Sequence, residues 1–228
     1  MKKIIITLCL MLPALAGMAQ SPLSFHAKAG IGTSYFYGKH SNSDTKMAYK
    51  AGVGAEYALN RTWVLQSALE FVSIGGKKEI EYVAKADMNE LYIQIPVMIA
   101  ARLNLGSDYH VSLGVGPYVA VGVGGMTSGK IYDYASSSHD AGYRFKVGTF
   151  GSALDGKMGN NRFDTGIAIG LKLDYRRFIF GAEAQVGFVK VNKHLDQLIG
   201  NDYGDYGTDE RFLPKNFASF FTLGYRFW

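Results

Sequence analysis

The chain has 228 residues, of which 28 are Gly, 15 Tyr, 14 Phe and only 5 Pro. This length suits a single all-β domain, and a composition so rich in Gly and aromatic residues favours many short strands over helices. The net charge of +5, which falls to +3 without Lys2 and Lys3 of the leader described next, is too mild to indicate a nucleic-acid partner.

Residues 1–19 have the three parts of a secretory signal peptide. Two lysines precede an apolar run at 4–16, and small residues occupy the positions around Met18 before the polar Gln20. The apolar run is too short to span a bilayer comfortably as a helix. We therefore predict cleavage after residue 19, which leaves 20–228 as the mature domain.

Cleavage would also remove Cys9, the only cysteine of the chain. The mature domain would then hold no thiol, which excludes disulfides, thiol catalysis and a lipid-modified N-terminal cysteine. The histidines are scattered with no spacing typical of a metal site, so we expect neither a metal nor a cofactor. They are His26, His40, His110, His139 and His194.

The rest of the chain alternates between apolar and other residues with a period of two, which indicates strands with two different faces. No mature segment holds the roughly 18 consecutive apolar residues of a transmembrane helix. The alternation predicts eight strands. They lie at about 25–36, 48–59, 62–74, 88–103, 109–124, 163–175, 178–191 and 216–228.

The connections between these strands alternate in length. Tight turns lie at Asn60–Arg61, 104–108 and Arg176–Arg177. Longer loops lie at about 37–47, 75–87, 125–162 and 192–215. This layout predicts an all-β fold, an eight-stranded antiparallel transmembrane up-and-down β-barrel with short periplasmic turns and long external loops. Two strand-like pieces of the longest loop, KIYDY and YRFKV, predict a further hairpin outside the membrane.

The two faces of each strand distinguish a membrane barrel from a soluble one. In the strand at 163–175, Ile167 and Ile169 share one face, while Lys172 shares the other with Gly170. In a soluble barrel the apolar face points inward and the charges face water. Here the charges share their face with Gly and Ala, which suits a narrow interior, so we predict that the apolar face contacts lipid.

Eleven charged side chains fall on the predicted inward face. An eight-stranded barrel is only wide enough for its own side chains, and unpaired buried charges are costly, so we predict one structural network of paired charges. An ion pathway is the alternative, but a selective pore would be wider and more strongly biased in sign. The eleven residues are Lys28, Lys50, Glu56, Glu70, Glu90, Arg102, Asp164, Lys172, Asp174, Glu183 and Arg226.

The chain closes on the aromatic stretch FFTLGYRFW at 220–228. The last strand has to pair with the first, because a strand edge cannot stay free in lipid. An aromatic final strand also resembles the signal by which the barrel assembly machinery recognises its clients. We assign this C-terminal assembly signal to Phe221, Leu223, Tyr225, Phe227 and Trp228.

The segments LYIQIPVMI (91–99) and KNFASFFTLGYRF (215–227) resemble the small outer-membrane β-barrel proteins of Bacteroidetes that are called PorT-like. In that family the fourth strand looks like LEIPLL and the last strand ends in GYRF. Trp228 is a departure, since it follows Phe227 where the family usually stops. The resemblance implies an OmpA-like barrel in the outer membrane of a Gram-negative cell, and it carries over no catalytic residue.

These patterns favour a non-enzymatic outer-membrane protein with a structural or surface-interaction role. It would be a monomer whose partners are outer-membrane lipid and, during insertion, the barrel assembly machinery. Adhesion or ligand binding would reside in the loops 125–162 and 192–215. The alternative is a lipid-A acylase or deacylase with a Ser–His pair at the barrel rim, formed by His139 beside residues 136–138, or using His194.

Overall fold

The structure is a computed structural model that describes residues 22–38, 43–80, 84–132, 142–192 and 214–227. The predicted leader and cleavage site lie outside the described residues, and so do His40, His139, His194 and Trp228. What was predicted for them stays a prediction. In the described part of the chain, no helix is long and apolar enough to cross a membrane.

Ten β-strands and one short 3-10 turn, Ala153–Asp155, form the described part of the chain. The strands are β1 (Leu23–Tyr37), β2 (Lys46–Ala58), β3 (Trp63–Ile80), β4 (Ala84–Asn104), β5 (Tyr109–Gly124), β6 (Met126–Tyr132), β7 (Gly142–Gly148), β8 (Phe163–Tyr175), β9 (Phe178–Lys190) and β10 (Lys215–Arg226).

Eight of these strands close into a barrel in the order β1-β2-β3-β4-β5-β8-β9-β10. The first and last strands pair antiparallel from His26 with Arg226 to Tyr37 with Lys215, so neither keeps a free edge along this length. All neighbouring pairs are antiparallel. The prediction of an eight-stranded antiparallel up-and-down barrel is therefore confirmed.

The other two strands, β6 and β7, form a hairpin beside the barrel wall. β6 pairs antiparallel with the first part of β4, and β7 pairs only with β6 among the described residues. Their ranges contain most of the pieces KIYDY and YRFKV, so the predicted hairpin is confirmed over the described residues. We call the first part of β4 (84–90), the last part of β3 (74–80), β6 and β7 together the hairpin extension.

The segment 75–87, predicted as a loop, is mostly strand. β3 and β4 stay paired in one register out to Ile80 and Ala84. Lys77, Lys85 and Asp87 take the places that bulky apolar residues hold in the barrel strands, so the apolar alternation ends there while the backbone ladder continues. Gly75 has a φ of 153°, and a Cβ at this position would lie 2.1 Å from the carbonyl oxygen of Met88. Only glycine fits this close approach of two strands, so it is part of the strand and does not mark a turn.

Bulky apolar side chains cover the outside of the barrel. Each barrel strand contributes at least one that is exposed. Aromatic pairs lie at the end of the barrel with the tight turns, where Tyr109 stacks on Tyr175 with ring centroids 4.7 Å apart. An apolar band bordered by aromatic residues is typical of a barrel in lipid. Examples of the apolar side chains, in barrel order, are Ile31, Val53, Leu69, Ile95, Val115, Ile169, Phe180 and Leu223.

The interior holds an apolar cluster as well as charges. In the half of the barrel nearer the long loops, aromatic and aliphatic side chains pack together from several strands and from one loop. The sequence predicted charges, Gly and Ala on this inward face, but not the packing of its aromatic side chains. The cluster consists of Ala48, Val72, Ile74, Tyr92, Tyr118, Ala120, Phe150, Ala168, Ala218 and Phe220, with Met98 packed against it.

Candidate functional site

Glu56 of β2 is the centre of a charged group at the end of the barrel with the tight turns. Its Oε2 lies 2.5 Å from Nη2 of Arg102 and 3.2 Å from Nη2 of Arg226, and its Oε1 contacts Nζ of Lys172. Asp174 adds a second carboxylate, with Oδ2 3.1 Å from Nη2 of Arg226. We call these five residues the turn-end cluster. Glu56 and Lys172 lie on opposite walls, since three strands separate β2 from β8 in either direction, so their contact crosses the lumen.

Two lysines and two glutamates form a second group in the middle of the barrel. Nζ of Lys28 lies 2.7 Å from Glu70 and 2.6 Å from Glu183. Nζ of Lys50 lies 3.0 Å and 2.6 Å from the same two carboxylates. Each cation thus contacts both anions, and this mid-barrel cluster is neutral. Gln94 extends it by donating to Oε2 of Glu70 at 3.3 Å.

The two remaining predicted charges, Glu90 and Asp164, are buried near the long loops and have neutral partners. Asn160 donates to Oε1 of Glu90 at 2.8 Å. Tyr118 and Asn216 donate to Oδ2 of Asp164 at 3.1 Å and 3.3 Å. In the described part of the chain neither carboxylate is paired with a basic side chain. We call these five residues the loop-end group.

The structure therefore differs from the single paired network that the sequence predicted. All eleven charged residues are buried or half-buried, but they fall into three groups along the barrel. The turn-end cluster has one surplus positive charge, the mid-barrel cluster is balanced, and the loop-end group is acidic. Amide and phenol donors stabilise the two carboxylates of the last group, which sequence patterns of charge alone do not reveal.

The connection between β7 and β8 folds into the loop end of the barrel. Phe150 is only 5% exposed and packs edge-on against Tyr92, with ring centroids 5.4 Å apart. Beside it, Thr149 donates from Oγ1 to the carbonyl oxygen of Asn89 at 2.7 Å. Asn160 follows on the returning chain and reaches Glu90 as described. The sequence predicted this segment as a surface loop. The one feature that could have indicated its burial is the aromatic Phe150 between Thr149 and Gly151.

One small cavity lies within the barrel between the turn-end and mid-barrel clusters. Its volume is about 30 Å³, and His26, Gln66, Met98 and Lys172 are among the residues that line it. A space of this size holds about one water molecule. In the described part of the barrel, buried charged and apolar side chains occupy the lumen around it, as expected for a barrel of eight strands.

Because Phe150 packs tightly, Gly122 of β5 should not tolerate a larger residue. A Cβ there would lie 2.5 Å from Cζ of Phe150, whereas a Cβ at Gly170 would lie 3.4 Å from Cε of Met98. We expect Gly122→Ala to lower the free energy of unfolding by about 1–3 kcal/mol, since overpacking displaces neighbours. Urea titration in phospholipid vesicles measures this, with Gly170→Ala as the matched control. An equal effect of both substitutions would contradict the packing of Phe150.

The described residues contain no group of three or more His, Cys, Asp or Glu side chains that could hold a metal ion. His26 is buried in the barrel and His110 is half-buried near the turn end. His139, His194 and the serines at 136–138, which the enzymatic alternative would use, lie outside the described residues, so that alternative stays a prediction.

The residues assigned to the assembly signal lie on β10 and just after it. Phe221, Leu223, Tyr225 and Phe227 are all exposed on the outer face. Between them, Thr222 and Gly224 are buried on the inner face. This strand closes the barrel by pairing with β1 on one side and β9 on the other. Its part in recognition by the assembly machinery stays a prediction.

A closed antiparallel barrel with an apolar outer surface and an interior filled by ion pairs defines the class of integral membrane β-barrels. The model of a family described as "Outer membrane protein beta-barrel domain" matches residues 17–191, which is more than half of the chain. The chain belongs to this family, and it is an outer-membrane β-barrel protein. Among curated proteins, none matches it.

Several solved structures are similar in fold. Ail, the attachment invasion locus protein of Yersinia pestis, is 14% identical, with 90% of this chain and 98% of Ail covered at a TM-score of 0.37. Neisserial surface protein A is 10% identical, with 91% and 98% covered at 0.41. The N-terminal β-barrel domain of Pseudomonas aeruginosa OprF is 12% identical, with 89% and 97% covered at 0.30. At these identities and scores the similarities carry no argument about function.

Proposed function

We propose that this protein is a non-enzymatic outer-membrane barrel with a closed interior and a structural or surface-interaction role. The observation that supports it is the filled lumen, in which the Glu56–Lys172 contact crosses from wall to wall. Breaking it would leave buried charges unpaired, which is costly. A barrel built in this way offers its outer surface and its external segments for interaction, rather than a path through its centre.

The same proposal includes export by the leader 1–19, a monomeric barrel, and a relationship to the PorT-like proteins of Bacteroidetes. The last point is supported by the motifs at 91–99 and 215–227. Ligands or protein partners would meet the external segments 125–162 and 192–215, and β6 and β7 of the hairpin extension belong to the first of these.

Electrical recording tests the closed interior. Protein reconstituted into planar bilayers is expected to give no steady unitary conductance, because ion pairs and apolar side chains fill the lumen. A double variant, Glu56→Ala with Lys172→Ala, removes the contact across the lumen and serves as the comparison for added leakage. Steady conductance steps from the unmodified protein would overturn the closed-interior proposal.

Lipid analysis tests the absence of enzymatic activity. Mass spectra of lipid A from cells with and without the gene are expected to show the same acyl chains. A changed acyl pattern that His139→Ala or His194→Ala reverses would replace the proposal with the lipid-A-modifying alternative.

A further inference from the structure

The hairpin extension carries two rows of polar side chains that cross three strands. Lys85 of β4, Lys130 of β6 and Arg144 of β7 lie directly opposite one another. Two residues along each strand, Asp87, Ser128 and Lys146 form the second row. Residues opposite each other in an antiparallel sheet share a face, and residues two apart on a strand do so as well. The six side chains therefore lie on one face.

This face continues the lipid-facing side of the barrel wall. β3 and β4 keep one register from the pair Trp63–Ala101 to the pair Ile80–Ala84. Side chains on β4 therefore alternate without interruption, and Lys85 and Asp87 point to the same side as Leu91 and Ile93. Lys85 lies six residues beyond Leu91, about 20 Å along the strand at about 3.4 Å per residue. The outer wall thus changes from apolar to basic over this length of the strand.

The basic residues surround a shallow groove of about 580 Å³. Four cations and one carboxylate line it, and that carboxylate, Asp87, already forms an ion pair with Lys46 of β2. Lys85 and Lys130 also have other contacts within the chain, but Arg144 and Lys146 are exposed. In the strand register Glu79 of β3 lies opposite Lys85. Arg144 and Lys146 are therefore the two cations on which attraction of an anion to the groove is argued.

We propose that this groove binds the phosphate groups of anionic glycolipid in the outer leaflet, with Arg144 and Lys146 as principal contacts. A guanidinium matches phosphate in a bidentate manner, and an ammonium adds a point charge. The orientation identifies a lipid rather than a soluble ligand, since the face lies on the side of the wall that contacts the membrane. Basic residues close to an anionic membrane surface strengthen the attraction to it. The inference rests on the proposed surface-interaction role and names its ligand.

Binding of purified diphosphoryl lipid A tests the inference. The protein, isolated from cell envelopes and exchanged into nanodiscs of phosphatidylcholine, is titrated with lipid A, and native mass spectrometry counts the molecules retained. We expect Arg144→Ala with Lys146→Ala to weaken retention at least tenfold. The control variant, Arg61→Ala with Arg177→Ala, also loses two positive charges, but at the tight-turn end of the barrel, which faces the other leaflet. We expect it to change retention less than twofold. Heat-modifiable gel mobility verifies that each variant is folded.

Two further ligands identify the source of the anion. Dephosphorylated lipid A is expected to bind the unmodified protein no better than it binds the variant with Arg144→Ala and Lys146→Ala. A soluble sulfated polysaccharide, heparin, is expected to bind both proteins equally weakly. Equal retention of diphosphoryl lipid A by protein and variant would overturn the inference, and so would a preference for heparin that the variant loses. If the recovered lipid A has altered acyl chains, the non-enzymatic proposal fails while phosphate docking stands.

Discussion

Glu56→Gln is expected to destabilise the barrel by about 3–5 kcal/mol, the range for removing one partner of a buried ion pair. Glutamine keeps the shape and a hydrogen-bonding oxygen but removes the negative charge. Arg102, Lys172 and Arg226 would then face one remaining carboxylate, Asp174, in a lumen with little room for water. Urea titration in phospholipid vesicles, followed by tryptophan fluorescence, measures the change in the free energy of unfolding.

Two further variants show whether this loss comes from the buried position. Asp108 and Arg176 form an exposed pair at the turn end, with 3.6 Å between Oδ2 and Nε. Asp108→Asn should cost less than about 1 kcal/mol, as exposed pairs do. Adding Lys172→Met to Glu56→Gln should recover part of the stability, because it removes a surplus cation. If the double variant is less stable by the full sum of the two single losses, the charges are not coupled in the way described.

Ile169→Arg is expected to lower the stability of the inserted barrel by about 2–4 kcal/mol, the cost of a basic residue near the bilayer midplane. Ile169 is 52% exposed on the outer face near the middle of β8. Its neighbours across the strands, Val115 and Ala184, share that face. The measurement is the folded fraction after refolding into vesicles, together with the urea midpoint.

Gly170→Ser on the same strand is the control, because its side chain enters the interior. A Cβ there would lie 3.4 Å from Cε of Met98 and 3.5 Å from Cγ of Glu183, which is ordinary contact. We expect it to fold as the unmodified protein does. If Ile169→Arg and Gly170→Ser are tolerated equally, the outer face does not meet hydrocarbon.

The sequence was sufficient to predict the strands of the barrel because lipid imposes a simple rule on them. Every second side chain meets hydrocarbon, so Ile167, Ile169 and Leu171 alternate with Gly, Ala and Lys. Outside the membrane the rule does not apply, and the pattern no longer predicts structure. For that reason 75–87 was predicted as a loop although the β3–β4 ladder continues through most of it.

The candidate site also has one feature that the sequence predicts and another that it does not. The alternation of side chains between the two faces of each strand predicts that the eleven charges share the inner side, since a shift of one residue would move every one of them into lipid. This alternation does not predict which charged side chains form ion pairs with one another. Glu56 and Lys172 are separated by 116 positions, and Lys28 and Glu183 by 155. Only closure of the barrel places them within contact distance.

What the sequence by itself determined is thus the class of fold, the identity of its two faces and the location in an outer membrane. These three properties follow from the alternation of side chains along a strand and from whether a face contacts lipid or the barrel interior. The tertiary structure decided the division of the charges into three groups, the packing of Phe150 in the barrel mouth and the basic face of Lys85, Lys130 and Arg144. These depend on strand register and on contacts between distant segments, and a pattern along one strand does not encode them.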